Sequence, residues 1–193
     1  IIKNRDADEP IRVWVTGCST GEEAYTVGIL LIEALTARKL DTSFQIFATD
    51  IDVTALDKAR NGIYPKSIEA DITPKRLRRF FLKDGDQYRV VKQLRESVAF
   101  AEQNLISDPP FSKLDLICCR NLLIYVEPEL QRKIISLFQY SLNEKGYLLL
   151  GLSETVGRLS NLFKLEDKKA RIYQSLSQAK QPQVDFPIIS VDE

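Results

Sequence analysis

At 193 residues the chain has the size of one ordinary domain, long enough to bury a sizeable core. Its 27 basic and 27 acidic residues balance, so no global field favours nucleic acid or an anionic membrane surface. Histidine is absent, which excludes Ser-His-Asp and Cys-His catalysis and imidazole metal sites, and no run approaches the ~20 apolar residues of a membrane span. Any reaction must therefore need little proton transfer, or use carboxylates, Tyr or Lys. The three cysteines, Cys18, Cys118 and Cys119, have no paired spacing and read as reduced thiols in a cytosolic protein.

In chain order, Ile11 to Thr16 reads as a first strand that runs into a turn bounded by Gly17 and Gly21. The two glycines would let the backbone approach a ligand closely. Ser19 and Thr20, each three residues before Glu22 or Glu23, read as overlapping capping boxes for a helix over Glu22 to about Arg38. A second buried strand, Phe44 to Thr49, ends in Asp50, where a ribose hydroxyl pair is usually held. Asp52 is placed as a helix N-cap, Ile51 and Leu56 as a hydrophobic staple, and Gly62 as the helix stop.

Thr73-Pro74 opens another helix, whose Lys75, Arg76, Arg78 and Arg79 form either a solvated face or a docking surface for an acidic partner. Asp84-Gly85 is a hairpin signal inside a small β insertion over about 83–97. Val98 to Glu102 is a third sheet strand, ending at Asn104-Leu105. Leu114 to Cys119, nearly continuous in apolar residues, reads as a buried parallel strand that delivers Arg120-Asn121 to the ligand end of the sheet. An amphipathic helix over Pro128 to Leu142, a fifth strand over Tyr147 to Leu150, and a closing antiparallel pair (Phe163 to Leu165, Arg171 to Tyr173) complete the domain, 1–176. From Ser177 the chain turns Gln-, Ser- and Pro-containing, which predicts a linker or disordered tail over 177–193. With no Met anywhere, not even at position 1, the chain is expected to be a segment of a longer protein or a processed one, and the tail agrees with a fusion.

Alternating strands and helices followed by a hairpin resemble the class I methyltransferases, an α/β Rossmann-like fold with a seven-stranded, mostly parallel sheet. Four blocks narrow the resemblance: Gly17-Cys18-Ser19-Thr20-Gly21-Glu22-Glu23-Ala24-Tyr25, Ala48-Thr49-Asp50-Ile51-Asp52, Cys119-Arg120-Asn121-Leu122-Leu123-Ile124-Tyr125 and Gly146-Tyr147-Leu148-Leu149-Leu150-Gly151-Leu152-Ser153-Glu154. In this order, over roughly Ile11 to Gln174, they resemble the CheR chemotaxis receptor methyltransferases. Asn104 to Pro110 and Ser153 to Gly157 look most like fusions of that enzyme with a CheB-type methylesterase and sensor domains.

The resemblance implies methyl transfer from S-adenosylmethionine to glutamate side chains on the cytoplasmic domain of chemoreceptors. The products would be glutamyl methyl esters and S-adenosylhomocysteine, in the cytoplasm, with no nucleic acid, metal or membrane insertion. It implies that Gly17 and Gly21 pass under the methionine part of the cofactor, that Glu22 contacts its amino group, and that Asp50 binds the ribose hydroxyls. Asn104 and Leu105 would flank the adenine, Arg120 and Asn121 would lie near the methionine end, Leu122 would also bind the cofactor, and Arg120 with Tyr125 would be the catalytic residues. Tyr125 would lie beside the sulfonium, where a ring face gives a cation–π contact of ~0.5–2 kcal/mol. The alternative for Tyr125 is a helix-entry residue packed on the sheet.

Three departures from the family pattern carry expectations. Members have an all-helical region before the first strand, which contributes an Asn, a Thr and an Arg to the cofactor site. This chain starts about ten residues before the strand, which predicts weak cofactor binding by the segment alone. Many members have His where Leu152 stands, which predicts no required base there and little role for Ser153 and Glu154. The Phe81 to Val98 insertion is shorter than in members that grip a receptor tail with it. Competing readings are a class I methyltransferase with another substrate, a non-catalytic module that senses S-adenosylmethionine or docks on receptors, and, least favoured, a nicotinamide oxidoreductase, for which the full Gly-x-Gly-x-x-Gly spacing is missing.

Overall fold

The structure is a computed structural model and describes residues 9–176 together with Ile2. The tail expected over 177–193 lies outside the described residues. The chain packs as two compact units, the first running to Glu102 and the second starting at Gln103.

In the first unit, β1 (Ile11–Thr16) leads into α1 (Glu22–Arg38), β2 (Phe44–Asp50) and α2 (Val53–Asn61). β1 pairs in parallel with β2, and β2 with β6 (Val98–Glu102). The apolar run in β1 exists because both faces of the strand are covered: Ile11, Val13 and Trp14 are fully buried. The indole N–H of Trp14 is satisfied inside, donating to Thr49 Oγ1 at 2.9 Å. α1 buries Ala24, Tyr25, Val27, Ile29, Leu31 and Leu35, while Leu30 on its outer side is exposed.

α2 begins and ends as its sequence dictates. Asp52 caps it by accepting the Ala55 amide at 3.0 Å, and Gly62 closes it in the left-handed region. The expected staple is not made, because Ile51 is 70% exposed while its intended partner Leu56 is fully buried. A small antiparallel sheet follows, with β3 (Ile63–Pro65) and β4 (Phe81–Asp84) on either side of β5 (Gln87–Val90). Between β3 and β4 come a 3₁₀ turn, Lys66–Ala70, and α3 (Pro74–Phe80), capped by the Thr73 hydroxyl. Arg76 of α3 holds Glu33 of α1 in a two-point ion pair at 2.7 and 3.0 Å, and Arg79 donates to Thr36. Half of the basic face is thus spent on fastening α3 to α1. α4 (Lys92–Glu96) returns the chain to β6, with Leu94 fully buried.

In the second unit, β7 (Leu114–Cys119) pairs in parallel with β8 (Leu142–Leu150). α5 (Pro128–Ser141) covers them, burying Ile134, Ile135, Leu137 and Phe138. β8 begins at Leu142, five positions before the expected Tyr147: Leu114 faces Leu142 while Leu116 faces Tyr147, so residues 143–146 form a bulge in the strand. That polar, glycine-containing bulge hides the strand's beginning from its sequence pattern. β10 (Ile172–Ser175) runs antiparallel to β8 and to β9 (Phe163–Asp167). The main sheet has seven strands in the order β6-β2-β1-β7-β8-β10-β9, mostly parallel with an antiparallel C-terminal pair, as the sequence predicts. Among the described residues no helix is long and apolar enough to cross a membrane.

Candidate active site

At the end of β1 the backbone turns sharply. Gly17 (φ 62°), Ser19 (φ 46°) and Gly21 (φ 90°) all take positive φ within five residues. Hydrogen bonds then fix the turn: the Cys18 amide donates to Thr49 O, and the Gly21 amide to Cys18 O. The Asp50 carboxylate finishes it, with Oδ2 accepting the Ser19 amide at 2.7 Å and Oδ1 accepting the Asp52 amide at 3.0 Å. A single half-buried acid at the end of β2 therefore organises both its own loop and the loop after β1.

The capping boxes expected from Ser19 and Thr20 do not form. Gly21 is the N-cap of α1 and no side chain caps the helix. The Ser19 amide is committed to Asp50, and the Thr20 hydroxyl donates to both oxygens of the Glu22 carboxylate at 2.7 and 2.8 Å. The cause is tertiary. A Cβ on Gly21 would lie 2.8 Å from the Ala59 Cβ of α2 and 3.1 Å from the Phe100 ring, so only glycine lets α1 start there. Gly21 thus serves helix packing from a buried position, whereas Gly17 and Glu22 are exposed at the strand end.

Two tyrosines support this loop from below. Tyr64 of β3 donates its hydroxyl to Thr20 O at 2.8 Å, and Tyr25 of α1 donates to Ala59 O at 2.7 Å. Their rings meet edge to face at 6.2 Å, and Tyr25 meets Phe100 at 5.6 Å. Burial pushes the Tyr25 phenol up to about 12. Burial, then the nearby Glu22, pushes Tyr64 up as well, so both remain hydrogen-bond donors at any physiological pH. Cys18 is pushed up to about 12, first by burial and then by Asp50, which leaves it a neutral, inert thiol.

In the second unit, Asn104 stands in a tight turn after β6. Its Oδ1 accepts the Ile106 amide and its own amide donates to Asp108. Asn104 is exposed and Leu105 half-buried. The neighbouring Gln103 has a buried Oε1 with no hydrogen-bond partner.

After β7 come Arg120, Asn121 and Leu122, then a 3₁₀ turn, Leu123–Tyr125. Asn121 is in the left-handed region at φ 57°. Leu123 is buried, whereas Tyr125 is 84% exposed, which does not fit a residue packed on the sheet. Gln131 of α5 braces the turn, donating to Leu123 O and Val126 O.

The organising group here is Glu154, 4% exposed. Its Oε1 accepts the Leu122 and Leu123 amides at 3.0 and 2.7 Å, and its Oε2 accepts the Asn121 and Gly151 amides at 3.1 and 2.7 Å. The expectation that Glu154 has little role is therefore corrected: one buried carboxylate holds four backbone donors from the loops after β7 and β8. Ser153 and Leu152 make no such contact, and Leu152 is 66% exposed.

These strand-end loops can be set beside known proteins. The model of the "CheR methyltransferase, SAM binding domain" matches residues 1–172. The chain belongs to this family. It is 38% identical over 175 residues to the "Uncharacterized 104.1 kDa protein in hypE 3'region" of Rhodobacter capsulatus, covering 91% of this chain and 18% of that protein. It is also 38% identical over 156 residues to a chemotaxis protein methyltransferase of Borreliella burgdorferi (79% of this chain, 55% of that one). A third relative, chemotaxis protein methyltransferase 1 of Vibrio cholerae, is 38% identical over 160 residues (81% and 58%). The chain thus spans a little over half of these methyltransferases and a smaller part of the Rhodobacter protein. Among solved structures, a TehB-like SAM-dependent methyltransferase of Corynebacterium glutamicum superposes with a TM-score of 0.47 at 14% identity, over 88% of this chain and 82% of that one.

Within the CheR domain, the first unit presents Gly17, Glu22 and Asp50 at the ends of β1 and β2. The second presents Asn104 and Leu105 after β6, and Arg120, Asn121, Leu122 and Tyr125 after β7. The Asp50 carboxylate can be set against the chemistry of the domain's cofactor. A carboxylate offers about four acceptor positions, and amides take only two of them here. The remaining two suit a vicinal diol. Sequence reasoning missed Tyr64, Tyr25 and Glu154.

Proposed function

We propose that this CheR domain methylates glutamate side chains of chemoreceptor cytoplasmic domains, forming glutamyl methyl esters. The observation that carries the reading is the half-open carboxylate of Asp50 at the end of β2, in a domain of the S-adenosylmethionine-binding CheR family. S-adenosylmethionine supplies a methyl group on an electrophilic sulfonium. The chain's own residues bind, orient and exclude water.

In this reading Asp50 accepts the ribose hydroxyls, Gly17 and the Gly21 turn run under the methionine part, and Glu22 meets its amino group. Asn104 and Leu105 flank the adenine, with the side-chain amide NH₂ of Asn104 and the unpartnered Gln103 Oε1 supplying polar groups suited to a base edge. Arg120, Asn121 and Leu122 stand at the methionine end. The exposed ring of Tyr125 offers its face to the sulfonium. The absence of histidine fits this chemistry. A glutamate is already ionised at neutral pH, with a reference pKa of ~4.3, so no proton has to be removed. Alignment and desolvation are the tasks left to the protein.

The partner in this reading is a receptor, the compartment is the cytoplasm, and methylesterase and sensor domains are fused to this one in the whole protein. The test is transfer of radiolabelled methyl from S-adenosylmethionine to receptor cytoplasmic fragments by the full-length protein. Base-labile release of methanol is expected, with kcat/KM rising from acid pH to a plateau as the substrate glutamate ionises. Label that is absent, or that resists base, would refute the assignment.

A further inference from the structure

The far end of the loop between β7 and α5 is braced by Gln131, which donates to Leu123 O and Val126 O. The loop's internal backbone bonds are Tyr125 N–H to Leu122 O and Val126 N–H to Leu123 O. Ile124 and Tyr125 face outward, at 48% and 84% exposure, and Leu123 is its one fully buried side chain. Asn121 sits in the left-handed region at φ 57°, which Asn adopts more readily than most non-glycine residues. This loop carries the groups that the proposed reaction uses.

What fixes its start is the nest of three successive amides, Asn121, Leu122 and Leu123, closed around the Glu154 carboxylate together with the Gly151 amide. The nest is shaped for a carboxylate. A Cβ at position 151 would lie 2.6 Å from Glu154 Oε2 and 3.0 Å from the Asn121 nitrogen, so the end of β8 is glycine where the acid arrives. An apolar side chain at this depth would leave four backbone donors without an acceptor. The two carboxylate oxygens also impose a direction on all four amides.

Resting on the function proposed above, we infer that Glu154 is a positioning residue for methyl transfer. Its carboxylate latches the loop after β7 to the end of β8, and through that latch it sets where Tyr125 stands. Glu154 does not touch substrate or cofactor; it acts through the loop.

The test uses Glu154→Gln in the full-length protein. The shape is kept, but an NH₂ donor now faces amide donors. Hydrogen exchange of the 121–123 and 151 amides should speed up at least tenfold, and kcat for methyl transfer should fall at least tenfold, while KM for the receptor fragment stays within about twofold. In a Tyr125→Ala background the same change should cost less than about threefold more, because the residue being positioned is gone. Additive losses in that cycle, or unchanged kcat with the amides still protected, would overturn the inference. If Glu154→Gln does not fold, Gly151→Ala crowds the same carboxylate and should show the same exchange and kcat pattern; normal values for both would refute it. If the unmutated protein transfers no methyl, the proposed function falls. The latch is then judged by exchange and by S-adenosylhomocysteine affinity, which should weaken in Glu154→Gln because Asn121 and Leu122 move.

Discussion

Asp50 and Asp52 lie two residues apart with different tasks, and one pair of substitutions separates them. Asp52 accepts the Ala55 amide as the N-cap of α2, a local bond whose loss costs about 1 kcal/mol. For a chain of this size that lowers Tm by about 2–4 °C. Asp50 accepts the Ser19 and Asp52 amides. Asp50→Ala leaves both amides to water, which reaches them because both bonds are exposed, so its cost to melting should be of the same small order. Ligand binding should differ sharply. Losing charge-assisted hydrogen bonds to a ribose removes about 1.5–3 kcal/mol, roughly a ten- to hundredfold rise in Kd for S-adenosylhomocysteine. Asp52→Ala should change that Kd by less than about threefold. Titration calorimetry beside thermal melting of both variants makes the comparison. If Asp52→Ala weakens binding as much as Asp50→Ala, the division between cap and ligand group is wrong.

Other substitutions probe the remaining groups. Gly21→Ala combines a φ of 90° with a Cβ 2.8 Å from that of Ala59, so urea unfolding should show a loss of about 2–4 kcal/mol; a loss below about 1 would mean that α1 and α2 part freely. Tyr125→Phe should keep most of the transfer rate and Tyr125→Ala should lose most of it, both with unchanged melting, because the ring is 84% exposed; full activity in Tyr125→Ala would end its proposed role. The Cys18 thiol is held near pKa 12 against about 9 when unfolded, so the unfolded chain ionises first and stability should fall as pH rises from about 9 to 12. Cys18→Ala should flatten that fall, and a fall of the same steepness would assign it elsewhere. At pH 8 the native chain should resist a maleimide at Cys18, Cys118 and Cys119, all buried.

The parts of this molecule that were legible in its sequence are those whose causes are local. Asp52 caps a helix through an amide three residues on, and Thr73 does the same. Asp84-Gly85 makes its hairpin because Gly85 sits at a turn position with φ 58°. β1 and β7 were visible as apolar runs because both of their faces are covered. The misread parts have distant causes. Gly21 caps α1 in place of Ser19 or Thr20 because Ala59, far along the chain, leaves no room for a side chain. Tyr64 reaches the carbonyl of Thr20 across 44 positions, and Glu154 reaches its loop across 31 to 33. No periodicity or capping pattern signals such a bond. The one clue was an acid just after a buried strand that ends in glycine, Gly151-Leu152-Ser153-Glu154.

The two carboxylates that organise the strand ends answer to one piece of arithmetic. Each ties two loops together by accepting backbone amides, and each had about four acceptor positions to use. Asp50 has given two of them to the Ser19 and Asp52 amides and stays half-buried. Glu154 has given all four, and is 4% exposed. The first therefore keeps both the capacity and the access to accept further donors, whereas the second has neither. The difference sets opposite expectations for one change, acid to amide. Asp50→Asn should be read mainly in ligand affinity, with its loop still in place because one oxygen and one solvent-reachable bond remain. Glu154→Gln should be read mainly in the order of the loop, because a buried amide NH₂ facing amide donors has no water to turn to. If Asp50→Asn instead loosened the Ser19 amide as much as Glu154→Gln loosens those of 121–123, counting acceptor positions would not tell a ligand-binding acid from a positioning one in this fold.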